Sequence, residues 1–99
     1  MEHHVYFWLK EENKNPEDRG EFEKGLDELL KVPEAVNGIW SVPAAVELRP
    51  VVDQSWDYAL SIRFASLEHH NIYQDDAGHL AFIHRFRPWW AKVLVSDLA

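Results

Sequence analysis

The segment from Trp56 to Phe64 restricts the possible folds most strongly, because large apolar side chains occupy every second position. The large side chains are Trp56, Tyr58, Leu60, Ile62 and Phe64, and the positions between them hold Asp57, Ala59, Ser61 and Arg63. Successive side chains of a β-strand point to opposite faces of its sheet, so this alternation predicts a strand with a core face and a semi-polar face. The chain is therefore expected to be built around a sheet.

A first strand is predicted from His4 to Lys10, where β-branched and aromatic residues are dense. One face would carry His4, Tyr6 and Trp8, and the other would carry Val5, Phe7 and Leu9. Both faces are largely apolar, so both are expected to be buried. We place the His4 face toward the helices, which leaves the opposite face to be covered by something else.

The first helix is predicted from Pro16 to Lys31. Asn15 is suited to the N-cap, proline favours the first helical position, and Glu17 and Asp18 stabilise the positive end of the helix dipole. An apolar stripe then follows at the spacing of one helix face, and it comprises Phe22, Leu26, Leu29 and Leu30. The pattern indicates an amphipathic helix that packs on a sheet.

Two turn signals separate this helix from a second strand. Val32-Pro33 ends the helix, and Asn37-Gly38 turns the chain into a strand predicted from Ile39 to Leu48. Pro43 lacks a backbone N–H, so this strand must lie at an edge of the sheet or carry a bulge. The residues from Arg49 to Ser55 are predicted to form a loop before the alternating strand.

Two further helices and a last strand complete the chain. Ser66 is suited to cap a helix that ends at Asp75-Asp76, and Asp76 then caps a helix from Ala77 to about Phe86. The first of these helices carries Leu67, Ile72 and Tyr73, and Tyr73 is expected to point inward. On the second helix the residues expected to face inward are Leu80, Phe82, Ile83 and Phe86. The last strand is predicted from Lys92 to Leu98.

The order of elements is β-α-β-β-α-β, with the second helical position split in two, in a single domain of residues 1–99. This order predicts an α+β, ferredoxin-like fold, namely a four-stranded antiparallel sheet with its helices on one face. The apolar face opposite the helices needs a cover. The economical cover is the same face of a second copy, with Asp57, Ser61 and Arg63 as its polar part, so we expect a homodimer.

Composition excludes several classes of function. Seventeen acidic and ten basic residues give a net charge of −7, which opposes binding to the phosphate backbone of nucleic acid. No apolar run approaches the roughly 20 residues of a membrane span, so we expect no membrane partner and a cytoplasmic location. The chain has no cysteine, which removes disulfides, thiol nucleophiles and thiolate metal sites. Any catalysis would use histidine, tyrosine or carboxylate groups.

Four motifs occur in order along the chain: HHVYFW at the start, WDYALSIRFASLE in the middle, then IYQDDAGHLAF and VLVSDL. They resemble the stress-responsive A/B barrel (Dabb) domain family, whose usual forms are H-V-V-L-F, Y-D-H-A-L-x-x-x-F-x-S-x-E, Y-x-x-H-P-x-H-x-x-F and V-V-V-x-D. The resemblance spans nearly the whole chain. It implies a dimeric ferredoxin-like α/β barrel, in a family where most members have no assigned chemistry.

The resemblance also implies site residues. A plant member of the family performs a cofactor-free aldol cyclisation of a linear polyketide thioester, in a pocket between sheet and helices. Its first-strand histidine, pocket tyrosine and helix-opening histidine match His4, Tyr73 and His79 of this sequence. The family's H-P-x-H is here Asp76-Ala77-Gly78-His79, and its strand-three histidine is Tyr58. Retention of the three positions argues for a pocket more than for a reaction.

His79 is the candidate general base, because a neutral imidazole in an apolar site can remove a proton next to a carbonyl group. Tyr73 and His4 would orient it or donate to a developing enolate oxygen. The further walls of the predicted ligand pocket are Tyr6, Trp8, Phe22, Leu26, Tyr58 and Phe82. The alternative is that the three candidates are core residues whose polar atoms are simply paired.

We expect no metal and no other cofactor. Asp75 and His79 are spaced i, i+4 near His69 and His70, but a helix break divides them and adjacent histidines point to different helix faces. Three interpretations stay open. The first is a pocket for a small, largely apolar carbonyl compound, with a possible cofactor-free proton-transfer or aldol-type cyclase step. The second is a non-catalytic stress-related or ligand-binding barrel, and the third is cofactor-free monooxygenase or haem-handling chemistry, by fold analogy alone.

Overall fold

The computed structural model describes residues 1–99 as four strands and three α-helices. In chain order these are β1 (Glu2–Leu9), α1 (Pro16–Leu29), β2 (Asn37–Ser41), β3 (Tyr58–Arg63), α2 (Leu67–Asp75), α3 (Ala77–Phe86) and β4 (Trp90–Leu98). Single-turn 3₁₀ helices lie at Glu11–Asn13 and Arg87–Trp89. The strands form one antiparallel sheet in the order β2-β3-β1-β4. The predicted α+β, ferredoxin-like fold is confirmed, and no helix combines the length and the apolar character of a bilayer-spanning segment.

Side-chain caps begin all three α-helices, as predicted. Asn15, Ser66 and Asp76 are the N-caps of α1, α2 and α3, and each side chain accepts a hydrogen bond from a backbone N–H two or three residues later. Such caps satisfy N–H groups that have no partner within the first helical turn. Asp76 is also the C-cap of α2, so a single residue separates the two helices.

The predicted second strand is wrong in its extent. It ends at Ser41 and not at Leu48, and residues 42–57 run irregularly to β3. Pro43 has no N–H to donate to a sheet ladder, so pairing stops just before it. The other strand and helix ends differ from the prediction by at most two residues.

The faces of β1 are the reverse of those predicted. Its buried side chains are His3, Val5, Phe7 and Leu9, and those on the open face of the sheet are His4, Tyr6 and Trp8. The register with β3 decides this, because the cross-strand pairs are His3 with Ile62, Val5 with Leu60 and Phe7 with Tyr58. Directly opposed side chains share a face, and Tyr58, Leu60 and Ile62 form the buried face of β3. The expected placement of His4 on the helix side is therefore wrong.

The core lies between the sheet and the helices. The buried helical side chains are Phe22, Leu26, Leu29, Tyr73, Phe82 and Phe86. The apolar stripe predicted for α1 is thus confirmed. Leu80, which was expected to face inward, is exposed, and so are Leu67 and Ile72 of α2. Two residues along a helix turn it through about 200°, so Leu80 points outward when Phe82 points inward.

Asp57 lies inward, although the alternating pattern placed it on the semi-polar face. It is 10% exposed, and its carboxylate accepts a hydrogen bond from the Leu9 backbone N–H at 2.8 Å and another from Arg19 Nη2 at 2.9 Å. β3 begins only at Tyr58, so the strand alternation does not extend to this residue. The expected place of Asp57 in the polar part of the open face is wrong, because Arg19 of the same chain holds the carboxylate.

Trp56 also departs from the pattern. Its ring packs edge-on against Tyr6 of the open face, with 5.4 Å between the ring centroids. Trp56 precedes β3 by two residues, and its indole N–H donates to the Asp53 carbonyl of the preceding loop. The loop, and not the strand, therefore determines which side of the sheet this large ring covers.

Candidate functional site

A cavity of about 370 Å³ opens between the sheet and the helices. Ten of its fifteen lining residues are hydrophobic, and the five others are His3, His70, Gln74, His79 and Asp97. Ligand pockets in proteins commonly combine such apolar walls with a few polar groups, and they start at about 300 Å³. The cavity is therefore large enough for a small organic molecule.

Four elements position the polar side chains of the cavity. His3 on β1 and Asp97 on β4 are directly opposed in the antiparallel register, so their side chains share the helix-facing side of the sheet. His70 and Tyr73 are three residues apart on α2, which places them on neighbouring parts of one helix face. His79 lies in the first turn of α3, just after the Asp76 break.

Tyr73 and His79 meet at the cavity, with ring centroids 4.3 Å apart. The Gln74 carbonyl oxygen can only accept, so His79 Nδ1 donates to it at 3.2 Å. This bond places the proton of the neutral ring on Nδ1 and leaves a lone pair on Nε2. Burial lowers the pKa of His79 below its ordinary value of 6.5, although the bond to Gln74 opposes the shift. The ring is therefore neutral at pH 7 and has a basic nitrogen.

His3 forms a short contact with Asp97, 2.6 Å between Nδ1 and Oδ1. Burial lowers the pKa of His3, and the hydrogen bond to Asp97 opposes this shift without overcoming it. His70 lies beside the pair: its ring centroid is 5.1 Å from that of His3, and its Nε2 is 3.7 Å from the same Asp97 oxygen. Two imidazoles and one carboxylate thus converge at one end of the cavity.

Two buried polar atoms of the cavity lining have no hydrogen-bond partner, namely Nδ1 of His70 and Nε1 of Trp90. Native proteins leave few such atoms, because each costs about 1–3 kcal/mol when it is neither hydrated nor paired. The Trp90 indole N–H is purely a donor. An acceptor atom on a bound molecule would satisfy it.

The predicted site residues separate into three groups. His79, Tyr73 and Phe82 line the cavity. Phe22, Leu26 and Tyr58 are buried in the core but do not line the cavity, and Tyr58 donates its hydroxyl to Glu23 at 2.7 Å. His4, Tyr6 and Trp8 lie on the open face because of the β1 register, so they are separated from the cavity by the sheet. His3 occupies the position that was expected for His4.

The predicted site residues did not include His3, His70, Asp97 or Trp90, although His70 was considered, with Asp75 and His79, for a metal site. Partial signals existed, since His70 precedes Tyr73 by one helical turn and Asp97 continues the Val93 and Val95 alternation of the last strand. They became informative only with the pairing of β1 and β4, which brings the ends of the chain together.

Comparison with solved structures identifies the fold. The Arabidopsis thaliana protein At3g17210 superposes with a TM-score of 0.82 at 22% identity, covering 99% of this chain and 92% of that one. A dimeric ferredoxin-like protein of unknown function from Thermobifida fusca gives 0.81 at 18% identity, covering 99% and 88%. A hydroxynitrile lyase from Passiflora edulis gives 0.75 at 19% identity, covering 96% and 87%.

No curated protein sequence matches the chain. A family profile does, over residues 1–99, and its description is the stress responsive A/B barrel domain. The profile match agrees with the four-stranded antiparallel sheet and with the ferredoxin-like neighbours. The chain therefore belongs to the stress responsive A/B barrel (Dabb) domain family.

Proposed function

We propose that this protein is a homodimer whose cavity binds a small, largely apolar carbonyl compound. The size of the cavity and its ten hydrophobic lining residues support an apolar ligand. The unpaired indole N–H of Trp90 supports a hydrogen-bond acceptor on that ligand, such as a carbonyl oxygen. The ligand would thus be mostly apolar with at least one acceptor.

The proposed reaction is a cofactor-free proton transfer or aldol-type step with His79 as the base. The observation that supports it most is the contact of the His79 and Tyr73 rings, 4.3 Å apart, in an apolar cavity. Nε2 of neutral His79 would take a proton from the carbon next to the carbonyl group. Burial raises the pKa of Tyr73, so its hydroxyl keeps its proton and would donate to the developing enolate oxygen.

His3 takes the supporting role that was expected for His4. Its buried ring lies 5.9 Å from the ring of Tyr73, whereas His4 is on the other side of the sheet and pairs with Glu2. The short bond from His3 Nδ1 to Asp97 would hold the imidazole in one orientation beside the ligand. One neighbour of the fold is a hydroxynitrile lyase, so this fold can hold a lyase.

The open face of the sheet supports the homodimer. It carries Tyr6, Trp8, Ile39 and Leu94, with no helix over them. Monomeric proteins rarely leave a contiguous patch of this kind in water. The Thermobifida fusca neighbour is described as dimeric. A second copy placed face to face would cover the patch.

The test compares wild type with His79→Ala on small aromatic ketones and β-keto thioesters. Binding is followed by quenching of tryptophan fluorescence, since Trp90 lines the cavity, and turnover by chromatography of the products. We expect His79→Ala to lose about 10²- to 10⁴-fold in turnover and to retain binding, as is usual when a general base is removed. His84→Ala is the matched control, because His84 is exposed on the same helix.

Equal turnover in wild type and His79→Ala would remove His79 from the reaction. Binding without turnover in wild type would support the second interpretation, a ligand-binding barrel with no catalysis. Absence of binding across both compound classes would contradict the proposed ligand.

A further inference from the structure

Three side chains that are distant in sequence present metal-ligand atoms to one point. His3 comes from β1, His70 from α2 and Asp97 from β4, and one ligand atom from each lies within 4.8 Å of the other two. His3 Nδ1 is 2.6 Å and His70 Nε2 is 3.7 Å from the same carboxylate oxygen of Asp97. Both imidazoles are largely buried, and Asp97 is partly exposed.

The hydrogen bonds of the three residues leave one buried imidazole nitrogen unpaired, His70 Nδ1. The Gln74 side-chain nitrogen donates to His70 Nε2 at 3.0 Å, so that nitrogen carries a lone pair and His70 Nδ1 carries the proton. The lone pair of Nε2 is thus engaged by Gln74, and Nε2 lies 3.7 Å from the Asp97 carboxylate oxygen with no proton between the two acceptors. A single proton can join His3 to Asp97, but it cannot also join His70. A cation at this point would accept electron pairs from all three residues, and at His70 it would replace the hydrogen bond from Gln74.

We infer that His3, His70 and Asp97 form a site for one divalent transition metal ion of the zinc class. Two imidazole nitrogens and one carboxylate oxygen are a common set of protein ligands for such ions. Zinc binds these atoms at about 2.0–2.2 Å, usually at the corners of a tetrahedron. For both to bind one ion, the distance from His3 Nδ1 to Asp97 Oδ1 must increase by less than about 1 Å. All three residues line the cavity, which leaves room for water or a ligand atom in the open coordination positions.

This inference goes beyond the proposed function, because ion binding requires neither a substrate nor turnover. It revises the expectation of a metal-free protein, which considered His69, His70, Asp75 and His79 but not the partners that β1 and β4 supply. Its test is separate from turnover, so it can fail while the proposed function stands.

The experiment titrates protein that has been dialysed against EDTA. Zn²⁺ binding is measured by calorimetry, and Co²⁺ binding by visible absorption, where d–d bands report on the ligands. We expect one Zn²⁺ per chain in wild type. Asp97→Asn and His70→Ala should weaken Zn²⁺ binding by more than about 10-fold, which is the lower range seen even for residues that only support metal ligands. His84→Ala, which changes an exposed histidine, should bind as wild type does.

Asp97→Asn keeps the size of a partly exposed side chain, so circular dichroism should show an unchanged fold even if His70→Ala is destabilised. Failure of wild type to bind Zn²⁺ or Co²⁺ at a one-to-one ratio would overturn the inference. Equal Zn²⁺ affinity in wild type and Asp97→Asn would do so as well. Equal weakening in His84→Ala would also overturn it, since binding would then depend on surface histidines.

Discussion

Burial determines the chemistry of His79 at the scale of the single residue. The ring is removed from water by the cavity wall and by Tyr73, which disfavours its charged form and lowers its pKa. The Gln74 carbonyl partly compensates and also orients the ring. An exposed histidine such as His84 has none of these constraints. The same residue type therefore lies in two different environments within one helix.

This lowered pKa predicts how stability depends on pH. Unfolded His79 titrates near 6.5, so below that pH the unfolded chain takes up a proton that the folded chain resists. The contribution of His79 to the free energy of unfolding is complete above pH 6.5 and is lost as the pH falls toward the folded pKa. Urea denaturation of wild type at pH 7 and pH 5 should show this loss, and His79→Gln should show less of it.

His84→Gln, which changes an exposed histidine of the same helix, is the control for that comparison. Identical dependence in wild type and His79→Gln would mean that the buried, neutral state of His79 is absent in solution.

Trp90 allows a second prediction at the residue scale. Trp90→Phe removes the unpaired indole N–H but keeps an aromatic ring on the cavity wall. Carbonyl ligands should then bind about 2- to 10-fold more weakly, the equivalent of one ordinary hydrogen bond. Because the substitution removes a tryptophan, the fluorescence of the two proteins cannot be compared directly. Calorimetry is therefore the suitable measurement of affinity. Trp89→Phe, which alters a neighbour outside the cavity lining, should leave affinity unchanged.

At the scale of the elements, the close packing of α1 on α3 constrains which side chains α1 can carry at the contact. A Cβ atom built on Gly25 would lie 2.3 Å from the ring of Phe86, which is 1% exposed and has little space to move. Gly20 lies on the same helix, and a Cβ there would meet nothing within 4 Å. The two glycines of α1 therefore differ in whether the packing requires them. Gly25 permits a helix contact, whereas Gly20 serves no visible contact.

Alanine substitution should separate the two. Gly20→Ala should stabilise the protein by about 0.5–1 kcal/mol, because alanine is the better helix former. Gly25→Ala gains the same helix propensity but overpacks a core contact at a cost of about 1–3 kcal/mol, so a net destabilisation is expected. Denaturant midpoints of the two variants provide the measurement. A stabilised Gly25→Ala protein would contradict the close approach of the two helices.

The whole molecule is asymmetric in its two layers. Helices cover one face of the sheet, and the other face exposes side chains from all four strands, with Trp56 packed against Tyr6 at its edge. Leu94 lies opposite Tyr6 in the register of β1 and β4 and is 48% exposed in the single chain. A second copy would convert this surface into an interface.

The dimer prediction is tested by a charge in the middle of that face. Leu94→Glu should give a monomer at micromolar concentration in sedimentation, because a buried unpaired carboxylate would oppose association. Leu80→Glu introduces the same charge at a leucine of similar exposure, 51%, on the outer side of α3, and it should remain dimeric. A monomeric wild type would remove the basis for the proposed assembly.

The sequence alone was sufficient to predict features that depend on neighbouring residues. The caps at Asn15, Ser66 and Asp76 act within one helical turn, and their predicted positions are confirmed. Tyr73 and His79 were expected at one pocket, and both line the cavity. The contributions of His70 and Asp97 were not predictable in this way, because they depend on pairings between distant parts of the chain. The catalytic roles assigned to the histidines and the tyrosine stay predictions.

The sequence by itself determined the set of elements and their order, since helix periodicity, capping and strand alternation need only neighbouring residues. The family was indicated separately, by the resemblance of four motifs along the chain. Only the tertiary structure decided that His3, and not His4, faces the cavity. Side chains along a strand alternate between its two faces. A shift of the strand by one residue therefore moves every side chain to the opposite face. Both faces of β1 are rich in apolar residues, and its own sequence could not make that choice. The apolar face of β3 made it, through the register that packs both strands under the helices.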